Sequence, residues 1–457
     1  MNAPPALPGI ADGADRAAVI KQMIRRARSA GFNAWWQRIE AVGFCANPIH
    51  LAGPDEFGGE HRVFTRCNNR RAIVCPSCSD LYSRDTWQLI HAGLRGGHHN
   101  IPATVADHPQ VFVTLTAPSF GAVHTARADG SCHPRRDRHH KCPHGNPKWC
   151  HHSHNGGDSQ LGQPLCRDCY DYVGHVTFSW HAPELWQRFT IRLRRLLKRE
   201  LKRRGEPPEH IRISFMKVVE LQRRALPHFH AVIRLDANGE LGEPLLAPDT
   251  TVSAHDFVVL VRQAAMETAL IVRDDKTMGF GEQIDIKIIT GANHTELNDC
   301  HISGRQIARY LAKYVTKSVA DFGIGAHRFS PAVIDQLEVT DHVHEILRTI
   351  VAISAEERYQ DVLSWLHTLG YRGHVVSKSQ QFSTTMTALR GKRADWWESR
   401  KNNDLSVKMR NRADEPIPWQ FQRLGLDSLG DRSLVVSAST RARERRIAAR
   451  QAIREGA

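Results

Sequence analysis

The spacing of apolar residues changes period several times along the chain, and each change marks an element. VFVTLTAP (111–118) is a continuous β-branched run closed by Pro118, which predicts a buried strand. LWQRFTIRLRRLLKRELKRRG (185–205) sets Leu185, Phe189, Leu193, Leu196 and Leu197 on one stripe, giving an amphipathic helix over about 184–204 with a basic outer face. IRISFMKVVEL (211–221) and FHAVIRLD (229–236) read as two strands joined by a turn in LQRRALP. SAHDFVVLVRQAAMETALIV (253–272) returns to helical spacing, and QIDIKIIT (283–290) to strand spacing. SGRQIARYLAKYVTKSV (303–319) is again helical, and Ser303 with Gln306 has the spacing of a capping box at its start.

Strand, helix, strand, strand, helix, strand is the βαββαβ order of a ferredoxin-like antiparallel sheet, so the expected class is α+β. The flanks are simpler. A polar lead and a helix, DRAAVIKQMIRRARSAGF, come first; residues 330–370 look helical; an Arg-rich tail ends in the helix STRARERRIAARQAIRE. Three regions result: 1–107, helical and Cys-rich; 108–320, the sheet domain; and 321–457, helical and Arg-rich. Residues 120–175 have almost no apolar periodicity, with seven His between 131 and 154 and five Cys. Such a stretch cannot build a core unaided, which predicts a metal-stapled insertion at about 130–175.

The net charge is +14, which favours a polyanionic partner. No apolar run approaches the roughly 18 residues needed to span a bilayer, and the start lacks the build of a secretory signal. The expected setting is cytoplasmic, without membrane. No G-x4-G-K-[ST] phosphate loop occurs, so the usual engine of a helicase is absent.

Ten cysteines in such a chain point to metal ligands before disulfides. Cys67, Cys75 and Cys78 form one set, with Cys45 as the best fourth ligand; Cys142, Cys150, Cys166 and Cys169 form a second. His144, His151, His152 and His154 compete for places in the second set. Two structural Zn²⁺ ions are expected, with Cys132 and Cys300 left as ordinary cysteines.

With 27 His in 457 residues, chance alone gives about 1.6 H-x-H triplets, and the chain has three: His152/His154, His228/His230 and His342/His344. Position separates them. His228 and His230 lie on a strand, where alternate residues share a face, and Glu220 on the preceding strand comes within reach across the ladder. Two imidazoles and a carboxylate suit Mn²⁺ or Mg²⁺, with nitrogen ligands favouring Mn²⁺. His342/His344 falls in helical sequence, where spacing of two diverges. Tyr310 and Tyr314, four apart on one helix, are expected by chance about 0.1 times given only seven Tyr. They border the Ile307, Leu311 and Val315 stripe beside Lys313 and Lys317, where a phenolate could attack phosphorus.

ELQRRALPHFHAVIRLD followed by YLAKYVTK resembles the HUH endonucleases that initiate rolling-circle replication. VFVTLTAP is similar to their first motif, PHFH to the second and YLAKY to the third. With CPSC, LCRDCYDY, FGEQIDIK, TLGYRGH and FSTTMTALRG, residues 40–395 resemble the RepSA group of actinomycete plasmid initiators. The resemblance implies an HUH fold, with His228, His230 and Glu220 as metal ligands, Tyr310 as nucleophile and Lys313 as its lysine one turn on. It implies nicking of single-stranded origin DNA, a 5′-phosphotyrosyl link and a free 3′-hydroxyl, with a host helicase and DNA polymerase as partners. Tyr314 departs from single-tyrosine members and is similar to two-tyrosine phage initiators and rolling-circle transposases. A transposase of the same chemistry, and a non-enzymatic zinc-containing DNA-binding regulator, are the alternative readings.

Overall fold

β-Branched and aromatic residues crowd four central stretches, and each becomes a strand: β1 (Gln110–Leu115), β2 (Ile211–Leu221), β3 (Pro227–Ala237) and β4 (Ile284–Thr290). Helix α1 (Tyr172–Arg203) lies between β1 and β2 in the chain, and α2 (Ala254–Met266) between β3 and β4. The computed structural model describes residues 7–11, 13–54, 59–126, 130–133, 141–240, 243, 245–272, 275–290, 301–317, 319–325, 328–402 and 418–455. In the sheet the order is β2-β3-β1-β4, and every neighbouring pair is antiparallel. Two short strands extend the edges: β5 (His301–Ser303), parallel to β4, and β6 (Val376–Lys378), antiparallel to β2. The chain is α+β with a mixed sheet.

One sheet face is covered by the apolar stripe of α1. Leu185, Phe189, Leu193, Leu196 and Leu197 are buried against Val113, Phe229 and Ile233, each large apolar side chain contributing about 1.5–3 kcal/mol. The helix begins at Tyr172, about twelve residues before the start that the sequence pattern suggested, and Pro183 sits inside it. A proline there deletes one backbone hydrogen bond and should bend or end the helix. Packing overrides it: Val176 and Trp180, upstream of the proline, are buried with Val343, Ile346, Leu347 and Ile350. These four belong to helix Asp341–Ile353, the only α-helix among the described residues of 330–370, which otherwise hold 3₁₀ turns at Pro331–Gln336 and Glu357–Thr368. The stretch 253–272 also divides. Its helix stops at Met266, and Ala269–Ile271 pairs with Thr277–Gly279 as a small hairpin.

The opposite sheet face carries the even-numbered residues of β3. Arg234 is fully buried there, its Nε 2.6 Å from Asp236 Oδ1, and its guanidinium donates to the carbonyls of Gly93 and Phe382. Burial pushes the Asp236 carboxyl up, but hydrogen bonds from His108 and Arg234 outweigh it and bring it down to about 2. A buried charge of this kind is tolerable only when paired and hydrogen-bonded.

Two compact units divide the chain: Trp87–Thr385, which holds the sheet above, and Met1–Thr86 with Met386–Ala457. The sequence divisions at 107/108 and 320/321 both fall inside the first of these. The other unit contains helices Arg16–Ala27 and Phe32–Ala41, the antiparallel strands Ile49–Pro54, Glu60–Thr65 and Gln420–Leu424, and helices Met386–Asn402 and Leu429–Glu455. Arg26 joins its ends by bridging Asp427 and Asp431 at 2.7 Å each. Among the described residues no helix is long and apolar enough to cross a membrane.

Candidate active site and metal centres

The β2–β3 hairpin sets the register of the site. Glu220 pairs with His228, Val219 with Phe229 and Val218 with His230. Alternation puts Phe229 into the core, stacked on Trp186 with ring centroids 5.9 Å apart, and the two histidines on the other face. Their rings lie 4.6 Å apart. The turn is closed by the Ala225 N–H donating to Gln222 O, with Ala225 at φ 64°. A left-handed alanine costs roughly 1–2 kcal/mol, and here it swings the chain round tightly enough to return His228 opposite Glu220.

Glu220 Oε2 lies 3.3 Å from His230 Nε2, and one ligand atom from each of Glu220, His228 and His230 fits within 4.8 Å of the others. Each imidazole is held by its other nitrogen: Thr114 Oγ1 of β1 lies 3.2 Å from His230 Nδ1, and the Gln222 amide 3.0 Å from His228 Nδ1. His228 Nε2 is buried without a hydrogen-bond partner in the protein. Burial, and then His230, push the His228 imidazole down to about 3, so it is neutral; its Nε2 lone pair is free for a cation once the Gln222 amide turns its oxygen to accept from Nδ1–H. Burial pushes Glu220 up, but hydrogen bonds from His230 and Lys317 prevail and hold it below the ordinary carboxylate range. An orphaned imidazole nitrogen beside a second imidazole and a carboxylate fits a divalent cation with positions left open.

The tyrosines arrive on α3 (Gly304–Tyr314), which follows directly from β5 and is capped by the Ser303–Gln306 box. Ile307, Leu311 and Val315 are fully buried and fix its rotation. This leaves Tyr310 and Tyr314 together on the side toward the histidines, ring centroids 4.7 Å apart. Tyr310 meets the His230 ring edge-on at 5.2 Å, and Tyr314 stacks on it at 5.4 Å. Burial and the hydrogen bond with Tyr314 push the Tyr310 phenol well above its ordinary value.

Lys317 Nζ lies 2.6 Å from Glu220 Oε1 and 4.5 Å from the Tyr314 ring centroid, whereas the Lys313 side chain is exposed. Tyr314 and Lys317 stand in the same Y-x-x-K relation as Tyr310 and Lys313, so that relation cannot rank the tyrosines. The other two H-x-H pairs take no part. His342 bonds Tyr172 and the Arg224 carbonyl, and His154 belongs to a cysteine cluster.

Among the described residues, three further groups of four side chains converge closely enough to hold a metal ion. Cys45, Cys67, Cys75 and Cys78 converge in the unit that holds the chain ends, with Cys75 and Cys78 Sγ each 3.7 Å from Cys45 Sγ. Cys142, Cys166 and Cys169 converge with His144, whose Nδ1 lies 3.2 Å from Cys169 Sγ. Cys150 does not join them. It faces Cys132, His124 and His154. The grouping of Cys142, Cys150, Cys166 and Cys169 expected from spacing is therefore corrected, and Cys132, expected to stand apart, lies within a group that could hold a metal ion. The bridge between His133 and Cys150 explains the split, because it turns Cys150 back toward Cys132, away from the C-x2-C knuckle. Cys300 lies outside the described residues.

Residues 31–440 match the RepSA family, described as the replication initiator protein of pSAM2. A curated replication initiator protein from Streptomyces ambofaciens is 35% identical over 465 residues, covering 95% of each chain. The chain belongs to the RepSA replication initiator family. No solved structure matches it. The RepSA match spans the hairpin, the tyrosine helix and all three cysteine groups. Within this RepSA chain, sequence reasoning overlooked Thr114, Gln222 and the approach of Lys317 to Glu220. Only Thr114 left a usable signal, as a polar residue amid the apolar run 111–115.

Proposed function

We propose that this RepSA member initiates rolling-circle replication of a plasmid-type element by nicking one strand of its origin through tyrosine transesterification. The observation that carries this reading is the convergence of Glu220, His228 and His230 with two tyrosines whose rings lie within 5.4 Å of His230. The antiparallel order β2-β3-β1-β4, with a helix after β1 and another after β3, supports a ferredoxin-like sheet of the HUH kind.

His228, His230 and Glu220 would hold Mn²⁺ or Mg²⁺. The chemistry such an ion would supply is polarisation of the scissile phosphate and dispersal of charge in the in-line transition state. The chain's own residues do the rest. Thr114 and Gln222 hold the imidazoles in orientation, and Lys317 keeps Glu220 ionised. A tyrosine hydroxyl gives up its proton to solvent as its oxygen attacks phosphorus, the P–O3′ bond breaks, and the departing 3′ oxygen takes up a proton from solvent. The products are a 5′-phosphotyrosyl link and a free 3′-hydroxyl for a host polymerase to extend. Lacking a phosphate loop, the protein relies on a host helicase for unwinding.

DNA affinity has a separate source. The outer face of α1 exposes Arg194, Arg195, Lys198, Arg199 and Lys202 on the side of the sheet away from the histidines. Such charges bind phosphates through counterion release. We further propose that Cys45, Cys67, Cys75 and Cys78 hold one structural Zn²⁺, and Cys142, His144, Cys166 and Cys169 a second. The Sγ separations of 3.7 Å around Cys45 match the edge of about 3.8 Å expected of a tetrahedral thiolate site. Family membership favours initiation over transposition. The site itself favours an enzyme over a regulator.

The test is incubation of the full chain with a single-stranded oligonucleotide from its own origin and Mn²⁺. The expected outcome is a covalent protein–DNA adduct that survives denaturation, and its absence with every divalent ion tried would defeat the reading.

A further inference from the structure

The insertion contains a ligand set that the two expected zinc ions do not use. His124 Nδ1 lies 3.1 Å from His154 Nε2, Cys150 Sγ 3.4 Å from His154 Nε2, and Cys132 Sγ 3.8 Å from His124 Nδ1. A tetrahedral ion with Zn–N near 2.05 Å and Zn–S near 2.3 Å sets edges of about 3.3 Å between nitrogens and about 3.6 Å between nitrogen and sulfur. The two nitrogen–sulfur separations fall on either side of their edge, and the nitrogen–nitrogen separation of 3.1 Å is slightly shorter than its own. His154 Nδ1 lies 2.6 Å from Asp158 Oδ2, which fixes the ring proton there and leaves the Nε2 lone pair directed at the cluster. The backbone N–H of Thr125 donates to Cys132 Sγ at 3.1 Å, as suits a thiolate.

We propose that His124, Cys132, Cys150 and His154 form a third structural zinc site, with Asp158 as the carboxylate that orients His154. Two thiolates and two imidazoles in tetrahedral array select zinc over the oxygen-seeking ions suited to the nicking site. The ion also fastens the insertion to the catalytic hairpin. His124 pairs with the returning chain through Gly162 N–H to His124 O at 2.9 Å and His124 N–H to Gln163 O at 2.8 Å. Gly162 packs so closely on the next segment that a Cβ there would meet the Arg223 carbonyl carbon at 2.4 Å. Arg223 in turn donates to the Gly156 carbonyl. The segment 156–162 therefore braces the turn that returns His228 to Glu220. The metal assignment is independent of the nicking reading; only its value for catalysis rests on it.

The test is zinc counted by elemental analysis on full-length protein purified without added metal. Three ions per chain are expected, also in the His228→Ala/His230→Ala variant, which separates this site from zinc taken up at the nicking centre. Cys132→Ser/Cys150→Ser should hold two. Two ions in the wild type, or three in that cysteine variant, would overturn the proposal. Should the cysteine variant fail to fold, X-ray absorption on wild-type zinc decides. With this site filled, nitrogen makes up about one donor in four, and without it about one in eight, given the donor types of the three clusters. If the cysteine variant folds, amide exchange at Gly162 and Ala225 should quicken about tenfold or more; unchanged exchange there would refute the bracing role and leave the ion a local staple.

Discussion

Lys317 Nζ sits 2.6 Å from Glu220 Oε1 while the other oxygen of the same carboxylate faces His230 Nε2 at 3.3 Å. One carboxylate therefore ties the tyrosine helix to the histidine strand. Removing the ammonium leaves Glu220 partly buried with one partner fewer, and frees the helix end from the strand. Lys317→Met is expected to slow adduct formation about 10–100-fold, the usual range for groups that orient metal ligands. Lys313→Met, altering an exposed side chain, should change it far less. Quench-flow or timed-gel assays on an origin oligonucleotide check both, and equal effects would remove Lys317 from its assigned place.

His228→Ala and His230→Ala separate chemistry from affinity. Without both imidazoles the site would not hold the proposed cation, and nicking should fall by about a thousandfold or more. Origin binding, carried by arginines and lysines, should stay within about twofold. Gel-shift and nicking assays on the same folded preparations decide. Parallel loss of both would mean the histidines serve DNA binding or folding. Glu220→Ala should be milder, since water can replace one carboxylate oxygen.

Much of this site was legible because its chemistry depends on local spacing. Strand alternation puts His228 and His230 on one face, and a helical turn puts Tyr310 beside Tyr314; both relations follow from period alone. The succession of strands and helices along the chain followed from the sequence of apolar periods. Contacts set by tertiary packing were not legible. Lys317 meets Glu220 across 97 residues of chain, and packing on Val343 and Ile346 carries the long helix upstream through Pro183 to Tyr172. Cysteine spacing located ligands but could not assign Cys150, because the choice depends on a backbone bridge to His133. The strand Gln420–Leu424 lay unnoticed in Arg-rich sequence, since its partner Ile49–Pro54 lies at the other end of the chain.

Lys217 provides a pH-dependent test of the fold. It is 4% exposed on the core face of β2, its ammonium 5.3 Å from the Phe229 ring centroid and 5.6 Å from that of Trp186, and burial pushes it down to about 8. An unfolded lysine titrates near 10.4, so between about 8 and 10.4 the unfolded chain binds more protons and stability rises with pH. Below about 8 the full cost of the buried charge is present. Lys217→Met should therefore raise the melting temperature at pH 7, and the gain should shrink as pH climbs toward 10. Melting curves at pH 7, 8.5 and 10 check the sign; a gain independent of pH would show that packing, not charge, is responsible.

The order of the tyrosines is the sharpest prediction. A phenol held neutral is a poor nucleophile, and burial together with the bond to Tyr314 does this to Tyr310. Lys317 Nζ lies over the Tyr314 ring, 4.5 Å from its centroid, and so favours negative charge on that ring. The ranking by Lys313, which favoured Tyr310, loses its ground because Tyr314 has Lys317 in the same relation and in place. Tyr314 is therefore expected to make the first link. Tyr310 would accept the strand in the second transfer, one helical turn away, without release of the first. Tyr314→Phe should eliminate the adduct on a single-stranded origin oligonucleotide. Tyr310→Phe should cleave at near wild-type rate but fail to join or terminate. Peptide mapping of the trapped wild-type adduct decides. A nucleotide on Tyr310 alone would reverse the roles, and one on neither would end the transesterification reading itself.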